Sequence, residues 1–502
     1  MSENKKFFNN SEWLPFLTIF MLSLLVRIYA ANTSIAQVYP DEIFQTIEPA
    51  HKLVFGRGIT YWEFKYGARS WFFPGILAGA YKILDTIGVE DPLSINIGIK
   101  IFLSIFSCLA VSVIYLLFRK HNLAKKEAFL FTLPLAASYL ASYISVRTLT
   151  ESASLPFMVF AVYFASNYIE NERIRELVFA FAAAGIAFMI RFQTAAFSFG
   201  IALALFLTAK KRFRSSLIFG FGFLGMVALQ GLLDIFTWGS FFKSFITYFD
   251  YNVLRGVANK HGISPWYYYL SDIVNTFHPL TWISAVLMMI IGVVSFKKNR
   301  QLILFFFPFL LFFIVHSAIG HKEPRFVFAC YFAVFVLSAE FFANLVQKYG
   351  KNRKNAVMFL SIFLLFTLDA FPHIKYARLW THSATSVDNF YGDDRGVEKI
   401  FGGVLETEAE LGRIADLKRA YLFGIPQIWT GGYAYFHKNA PISFASNPED
   451  VRKMLKKAIG SKQSGTYCAF KNGIEMPQEY RENLEKIRDN GDFTIYKLRV
   501  DN

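Results

Sequence analysis

The chain has few charged residues and almost no cysteine. Only 18% of its 502 residues are charged, whereas 54% are hydrophobic and 58 are Phe. The three cysteines support neither a disulfide framework nor a cysteine-based zinc site. A glycine-rich phosphate loop and an HExxH string are also missing, so nucleotide binding and metal catalysis have no motif behind them. This composition is typical of a membrane protein and excludes an ordinary soluble globular domain.

Long apolar stretches recur from Trp13 to Phe371 and then stop. Most have roughly 15 to 22 residues, close to the ~20 residues with which a helix crosses a bilayer. The first stretch is followed by no small-residue cleavage site, so we predict a retained span rather than a removed signal peptide. We therefore predict a polytopic α-helical membrane module in residues 1–371, with its first external loop at 31–96, and a soluble domain in residues 372–502.

The formal net charge of +15 is not concentrated in a patch or a stripe. Lys and Arg occur in short bursts between the apolar stretches, as cytoplasmic loops do under the positive-inside rule. This pattern does not predict a nucleic-acid partner. The bursts are Lys5-Lys6, Arg119–Lys126, Arg173–Arg175, Lys210–Arg214, Lys297–Arg300 and Lys348–Lys354.

Eleven spans place all of these bursts on one side of a membrane. The N-terminus is then cytoplasmic, and the C-terminal domain lies outside, in the lumen or the periplasm. The predicted spans are Trp13–Ala30, Ile97–Phe118, Ala128–Val146, Leu155–Tyr168, Leu177–Ile190, Thr194–Thr208, Ser216–Phe236, Pro279–Phe296, Leu302–Ser317, Phe326–Val346 and Ala356–Phe371.

The assignment of loops to the two sides of the membrane depends on two segments. The apolar segment Phe72–Gly88 would reverse the side of every later loop if it crossed the membrane, so we predict an interfacial helix there. The stretch Leu177–Thr208 is interrupted at Arg191, and we predict a hairpin of two short helices with Arg191 at its external tip. Short, interrupted helices at membrane depth often border a binding cavity.

Ionisable residues outside the basic bursts collect on the predicted outer side. At the edge of a bilayer such groups are costly unless they are paired or hydrated, which makes the set a candidate functional site. The first external loop contributes Asp41, Glu42, Glu48, His51, Glu63 and Arg69, and later turns contribute Arg147, Glu151, Arg191, Asp234 and the string HKEPR from His321 to Arg325.

Each of these groups also has a simpler structural explanation. Arg147 and Arg191 could extend from helix ends to the lipid head groups, and the cations of HKEPR could be anchors. One acid of the Asp-Glu pair at 41 and 42 could cap the helix that we predict over Glu42–Phe55. The aromatic strings TYWEF, WYYYL and DNFY are more typical of interfacial belts than of sugar-binding platforms.

Four strings in the predicted outer loops resemble the motifs of one family. The first is YPDEIFQTIEPAHKLVFGRGITYWEFKYGARSWFFPGI, with its P-D-E, Q, E, H and G-x-R-S positions. The others are RTLTES, then GLLDIFTWGSFF followed by HGISPWYYY, and finally HKEPRF. In this order, over residues 13–346, they are similar to family 22 of the lipid-linked-sugar glycosyltransferases, the family of GPI mannosyltransferase III.

The resemblance implies a GT-C fold, which is a transmembrane bundle with its active site facing the lumen or the periplasm. It implies inverting transfer of mannose, or a related hexose, from a polyprenyl- or dolichyl-phosphate donor to a glycolipid or glycan acceptor. It also implies that Asp41 is the general base and that Glu42 orients the acceptor or caps the helix. Because no metal motif is present and no cofactor is expected, side chains must carry the proton transfer.

The remaining site residues are assigned partly by the resemblance and partly by their predicted side of the membrane and their depth in it. A lipid-phosphate leaving group needs positive charge, and arginine suits bidentate phosphate contacts. The candidates for the donor phosphate are Arg325 and Lys322, followed by His321, Arg191 and Arg69. The candidates for binding the rest of the substrates are Glu63, Arg147, Asp234, Trp266 and Tyr267.

The region after Pro372 predicts a small α/β domain. Helical patterns cover Glu406–Lys418 and Pro448–Ile459, and strand patterns cover Tyr421–Trp429, TYCAF and FTIYKLRV. This domain could capture the acceptor or merely cover the bundle.

Two other functions remain open from the sequence. One is a lipid or sugar transporter, although transporters usually place ionisable residues near the midplane and show internal repeats. The other is a glycosyltransferase of the same fold that acts on protein. The membrane would be that of the endoplasmic reticulum in a eukaryote and the inner membrane in a bacterium.

Overall fold

The computed structural model describes residues 10–33, 39–350, 352–373, 402–474 and 476–500. Most of them are helical. The α-helices are α1 (Asn10–Thr33), α2 (Glu48–Phe55), α3 (Trp62–Tyr66), α4 (Phe72–Thr86), α5 (Pro92–Lys120), α6 (Lys125–Ala137), α7 (Tyr139–Ser145), α8 (Thr150–Asn171), α9 (Ile174–Ile190), α10 (Ala195–Thr208), α11 (Arg212–Trp238), α12 (Lys243–Phe249), α13 (Tyr268–Thr276), α14 (Pro279–Val294), α15 (Arg300–Ala318), α16 (Phe328–Tyr349), α17 (Arg353–His373), α18 (Gly402–Arg413), α19 (Gly432–Phe436) and α20 (Pro448–Gly460). The strands are β1 (Arg419–Phe423), β2 (Ile442–Ala445), β3 (Thr466–Lys471), β4 (Leu484–Asp489) and β5 (Phe493–Leu498).

Each of the eleven predicted spans coincides with helix in the structure. Six helices in the described part of the chain are long and apolar enough to cross a membrane, and α14 and the segment Phe192–Thr208 are shorter apolar helices. The predicted span Ala128–Val146 is divided, because α6 ends before Ser138 and α7 begins after it. Ser138 has an extended backbone, and its side chain accepts the Ala141 N–H, so it caps a new helix.

The chain forms two compact units. We call the first the bundle unit; it comprises the described residues within 1–30, 66–73 and 101–377. We call the second the sheet unit; it comprises those within 31–65, 74–100 and 378–502. The described residues of the first external loop within 31–65 and 74–96 therefore group with the C-terminal region, far away in sequence, whereas residues 66–73 group with the bundle unit.

Helix packing in the bundle unit depends on close approach at small residues. Gly200 on α10 lies so near α15 that a Cβ there would be 2.7 Å from Cα of Pro308. Since Pro308 offers backbone at that point, no side chain could move aside to make room. Glycine therefore allows α10 and α15 to pack at this distance.

The basic bursts lie at one end of the bundle unit. Lys120 forms an ion pair with Glu170, which joins the C-terminal ends of α5 and α8. The turn between α10 and α11 is joined to the turn between α8 and α9, because Lys210 and Lys211 bind Glu172 at 3.0 and 3.2 Å. At the end of α16, Gln347 donates to the carbonyl of Asn122 in the turn between α5 and α6. We call this end of the bundle unit the lysine end. The burst Lys5-Lys6 lies outside the described residues. The aromatic string DNFY also lies outside them.

The sheet unit contains a five-stranded mixed sheet in the order β2-β1-β3-β5-β4. Strand β1 pairs in parallel with β2 and β3, and β5 pairs antiparallel with β3 and β4. Alternate residues of β1 enter two apolar clusters, with Ala420 and Leu422 in one and Tyr421 and Phe423 in the other. Both faces of β1 are thus buried, as the predicted α/β domain requires.

Three of the five elements predicted for this region agree with the structure and two differ in their bounds. The helical pattern Glu406–Lys418 corresponds to α18, which begins earlier, at Gly402, and ends at Arg413. Helix α20 and strands β3 and β5 lie where the patterns place them. The strand pattern at Tyr421–Trp429 is too long, because β1 ends at Phe423 and a 3-10 turn covers Gln427–Trp429. Gly424 follows the strand with φ of +96°, a conformation that ends β1 and that residues with a side chain rarely adopt.

Candidate functional site

The Asp-Glu pair begins a distorted helix in the sheet unit. A π-helical stretch covers Ile43–Ile47, immediately before α2. Glu42 is fully buried, and its Oε1 accepts the N–H of Tyr39 at 3.2 Å. Asp41 next to it is half-buried. Of the two acids, Glu42 therefore holds the preceding turn through Tyr39, and it makes no side-chain capping bond at the start of the π-helical stretch.

Tyr61 and Glu63 lie near Asp41 in the same unit. The Tyr61 ring stacks on Phe44 with 5.2 Å between ring centroids. Burial raises the pKa of the Tyr61 hydroxyl, and the negative charges of Glu63 and Asp41 act in the same direction. Gln45 Nε2 donates to Glu63 Oε1 at 2.9 Å and holds that carboxylate in place. Asp41 and the buried Glu63 thus both lie close enough to Tyr61 to act on its hydroxyl.

Glu48 fastens this loop to the C-terminal part of the sheet unit. Its carboxylate is fully buried and accepts the N–H of Ile59 at 2.6 Å, of Tyr433 at 3.0 Å and of Ala434 at 2.8 Å. Burial raises its pKa to about 7, against the opposing effect of these bonds. Gly432 has φ of +58°, and a Cβ there would be 2.8 Å from the Glu48 carboxyl, so only glycine fits.

A pair of neutral histidines adds to the same contact. His51 Nδ1 lies 2.9 Å from the Arg57 carbonyl, which can only accept, so Nδ1 carries the proton. Its Nε2 lies 3.0 Å from Nδ1 of His437 and accepts from it. Burial lowers the pKa of His51 to about 4, which agrees with a neutral ring. Helix α2, which follows the Asp-Glu pair, is therefore held at two adjacent points.

Three arginines lie together in the bundle unit. Arg191 Nη1 binds Glu151 Oε1 at 3.0 Å, and both side chains are less than a tenth exposed. The guanidinium groups of Arg191 and Arg325 lie over the Phe326 ring, at 5.6 and 5.4 Å from its centroid. Burial lowers the pKa of Arg191, and the positive charges of Arg325 and Arg69 lower it further. We call this end of the bundle unit the arginine end.

The string HKEPR is organised by its glutamate. Glu323 accepts from Arg325 Nε at 2.7 Å and from Arg325 Nη2 at 3.2 Å. His321 Nε2 lies 3.1 Å from the same carboxylate, and Nδ1 lies 3.1 Å from the Gly262 carbonyl. Both ring nitrogens lie next to acceptors, an arrangement that favours the protonated ring. Burial raises the pKa of Glu323, but Arg325 and His321 outweigh this effect and lower it to about 2.

Lys322 has a different environment from its neighbours. Its Nζ donates to the carbonyl of Ser264 at 2.9 Å and also to the carbonyl of Ile319. The residue is only 7% exposed. Lys322 therefore joins the loop before α13 to the end of α15.

The other predicted residues fall into two groups. Arg147, 1% exposed, and Asp234, fully buried, lie inside the bundle unit. Asp234 accepts from Gln230 and from both the N–H and the hydroxyl of Ser244, which fixes the end of α11 to α12. Trp266 and Tyr267 are 67% and 53% exposed.

Several residues of the site escaped the sequence reasoning. The Arg69 guanidinium lies 5.3 Å from the centroid of the Tyr248 ring, and the hydroxyl of Tyr248 accepts from Gln193. Tyr248 belongs to no motif that we recognised. Tyr61 was included in an aromatic string and interpreted as part of an interfacial belt, although its position two residues before Glu63 was a usable signal.

Comparison with known proteins gives consistent matches. A family model described as the Alg9-like mannosyltransferase family matches residues 18–386. Mannosyltransferase APTG1 of Arabidopsis thaliana is 25% identical over 85% of this chain and 76% of that protein. GPI alpha-1,2-mannosyltransferase 3 of Bos taurus is 25% identical over 92% of this chain and 80% of that protein.

The chain is also similar to a solved structure. ArnT from Cupriavidus metallidurans, in a crystal structure bound to undecaprenyl phosphate, matches with a TM-score of 0.57 and 10% identity. The match covers 96% of this chain and 97% of ArnT. The two proteins therefore share a fold, and the GT-C fold implied by the sequence motifs is confirmed.

Proposed function

This chain belongs to the Alg9-like mannosyltransferase family, and from that premise we propose an inverting transfer of mannose from a polyprenyl-phosphate donor to a glycolipid acceptor. The relatives named above are mannosyltransferases, and ArnT, with the same fold, binds undecaprenyl phosphate. A bundle with six apolar helices suits a donor whose tail lies in the bilayer. The acceptor is a GPI-like glycolipid, as the name of the bovine relative suggests.

The general base in this proposal is Asp41. It removes the proton from the acceptor hydroxyl while the hydroxyl oxygen attacks the anomeric carbon and the bond to the lipid phosphate breaks. The single observation that carries this assignment is the division of roles between the paired acids. Glu42 is buried and bonded to Tyr39, whereas Asp41 is half-buried beside Tyr61 and Glu63. Glu63 binds an acceptor or sugar hydroxyl in this proposal.

The leaving phosphate takes its positive charge from the arginine end. Arg325 and Arg191 supply buried guanidinium groups, whose interactions with an anion are stronger than in water, and the half-buried Arg69 adds a third. Lys322 and His321 support them indirectly, since Lys322 donates to backbone carbonyls and His321 to Glu323. Arg147 adds charge at the same end, while Asp234, Trp266 and Tyr267 shape the loops around it.

We also propose the sidedness and the domain roles. The lysine end faces the cytoplasm, as the positive-inside rule predicts, and the arginine end faces the lumen or the periplasm. Residues 1–371 act as the catalytic membrane module. The soluble domain in 372–502 does more than cover the bundle. Through its hydrogen bonds to Glu48 it holds the segment that contains Asp41 and Glu42.

The test is the variant Asp41→Asn in membranes supplied with polyprenyl-phosphate-linked radiolabelled mannose and candidate glycolipids. Asparagine keeps the volume of the side chain but cannot accept the proton, so we expect transfer to fall about 10²–10⁴-fold. The matched control is Asp85→Asn, which changes an exposed acid of the same unit that binds Lys82. Undiminished transfer by Asp41→Asn would remove Asp41 from this role.

A further inference from the structure

A cavity of about 410 Å³ opens at the lysine end of the bundle unit. It lies between the ends of α5, α14, α15 and α16. On α16 the cavity lining begins at Glu340, twelve residues after the helix starts at Phe328, so the cavity is separated from the string HKEPR by at least about 18 Å along the helix axis. The cavity is thus separate from the candidate site of sugar transfer, and the following inference does not depend on the proposed function.

Cations surround the mouth of the cavity. Lys120, Lys298 and Lys348 all line it. Lys298 and Lys348 are exposed, and within the described ranges neither has a carboxylate at ion-pair distance. The only acid in the lining is Glu340. The lining therefore attracts an anion.

A buried pair at the inner wall lacks hydrogen-bond partners. His121 Nδ1 lies 2.8 Å from Glu340 Oε1, with the two side chains 3% and 1% exposed. His121 Nε2 and Glu340 Oε2 have no partner among the residues that the structure describes. Buried polar atoms are rarely left unsatisfied. A ligand with hydroxyl groups could satisfy both atoms, by donating one hydrogen bond to Glu340 Oε2 and another to His121 Nε2.

The rest of the lining is apolar and continues towards the outer surface of the bundle. Met288, Leu302 and Leu345 form part of the wall, and Ile291 of α14 lines it while 42% exposed. A ligand in this cavity would therefore meet polar groups at the helix ends and apolar groups along the helices. That arrangement matches a lipid, whose head group and chains are joined in the same order.

We propose that this cavity binds an anionic phospholipid with a hydroxylated head group. The phosphate lies among Lys120, Lys298 and Lys348, the head-group hydroxyls reach the His121–Glu340 pair, and the chains follow α14. Basic pockets between membrane helices are known to bind lipid head groups in this way. The site gives the protein a lipid requirement that is independent of the sugar donor.

The experiment titrates phosphatidylinositol into nanodiscs of phosphatidylcholine that contain the full chain, and counts retained lipids by native mass spectrometry. One lysine near an anionic surface is worth about fivefold in affinity. We expect Lys298→Ala and Lys348→Ala each to weaken retention by about that factor. The matched control is Lys297→Ala, since Lys297 is the exposed neighbour of Lys298 and does not line the cavity.

Three results would overturn the proposal. One is equal weakening by Lys297→Ala, which would indicate a general attraction of the basic loops. The second is unchanged retention by both cavity variants. The third is displacement of the bound lipid by soluble inositol phosphate to the same extent as by phosphatidylinositol at the same concentration. That result would indicate a site for a water-soluble phosphate. Retention lost only in the cavity variants, and unaffected by the soluble compound, would support the lipid site.

Discussion

The two ends of the bundle unit are both basic, but their cations differ in kind and in burial. At the arginine end, Arg191 and Arg325 are 5% and 7% exposed and each binds a carboxylate. At the lysine end, the side chains of Lys210 and Lys211 are 68% and 56% exposed, and they share the carboxylate of Glu172. Burying a charge costs several kcal/mol, whereas an exposed lysine costs almost nothing.

This difference shows what a cluster of positive charge can mean in a membrane protein. Exposed lysines set orientation, and their positions are interchangeable within a loop. Arginines that are buried at the edge of a membrane bundle and paired with carboxylates are instead candidates for binding an anion. Burial rather than net charge therefore distinguishes the candidate site from the topology signal.

The largest contrast between the ends should come from removing one carboxylate at each. Glu151→Ala leaves the Arg191 guanidinium buried without its partner, so we expect about 3–5 kcal/mol of destabilisation. Glu172→Ala removes the partner of two exposed lysines, so we expect no measurable change. Thermal unfolding in a mild detergent checks both. Equal shifts in the two variants would contradict the distinction.

A smaller contrast should come from exchanging the type of cation. Arg325→Lys loses the two-point contact with Glu323 and the planar donor set for phosphate, so we expect kcat/KM to fall roughly tenfold to 100-fold. At the lysine end, Lys210→Arg keeps an exposed charge beside Glu172 and should leave transfer unchanged. An unchanged kcat/KM in Arg325→Lys would mean that a point charge is sufficient there.

The smallest contrast concerns pH. The hydrogen bond to Glu323 raises the pKa of His321 above its ordinary value, although burial opposes this effect. A raised pKa means that the stabilisation is complete at low pH and is lost as the pH rises through the folded-state value. Unfolding midpoints from about pH 6 to about pH 8 should therefore decline slightly in the wild type and stay flatter in His321→Gln. A parallel decline in both would exclude His321 as the cause.

The helices of the bundle could be located from the sequence because hydropathy is a local property. Each predicted span coincides with helix, and the apolar segment Phe72–Gly88 is the helix α4. The division at Ser138 was missed, since one polar residue in an apolar run gives little signal. The order of the four motif strings indicated the family, and the matching family model agrees.

The chemistry within the candidate site was only partly predictable. The sequence showed that Asp41 and Glu42 were both available, but it left open which of them would hold the turn. It placed His321 among the phosphate ligands, whereas in the structure both of its ring nitrogens face protein acceptors. Tyr248 and Gln193 joined the site through contacts that no motif marks.

The sequence alone determined where the membrane helices lie, which loops are basic and which family the motifs indicate. These properties depend on neighbouring residues and on local composition. The tertiary structure decided which charges are buried and paired. The contact of Glu48 with Tyr433, the packing of Arg69 on Tyr248 and the cavity at the lysine end all join residues distant in sequence. Such partners are brought together only when apolar burial drives the chain to fold.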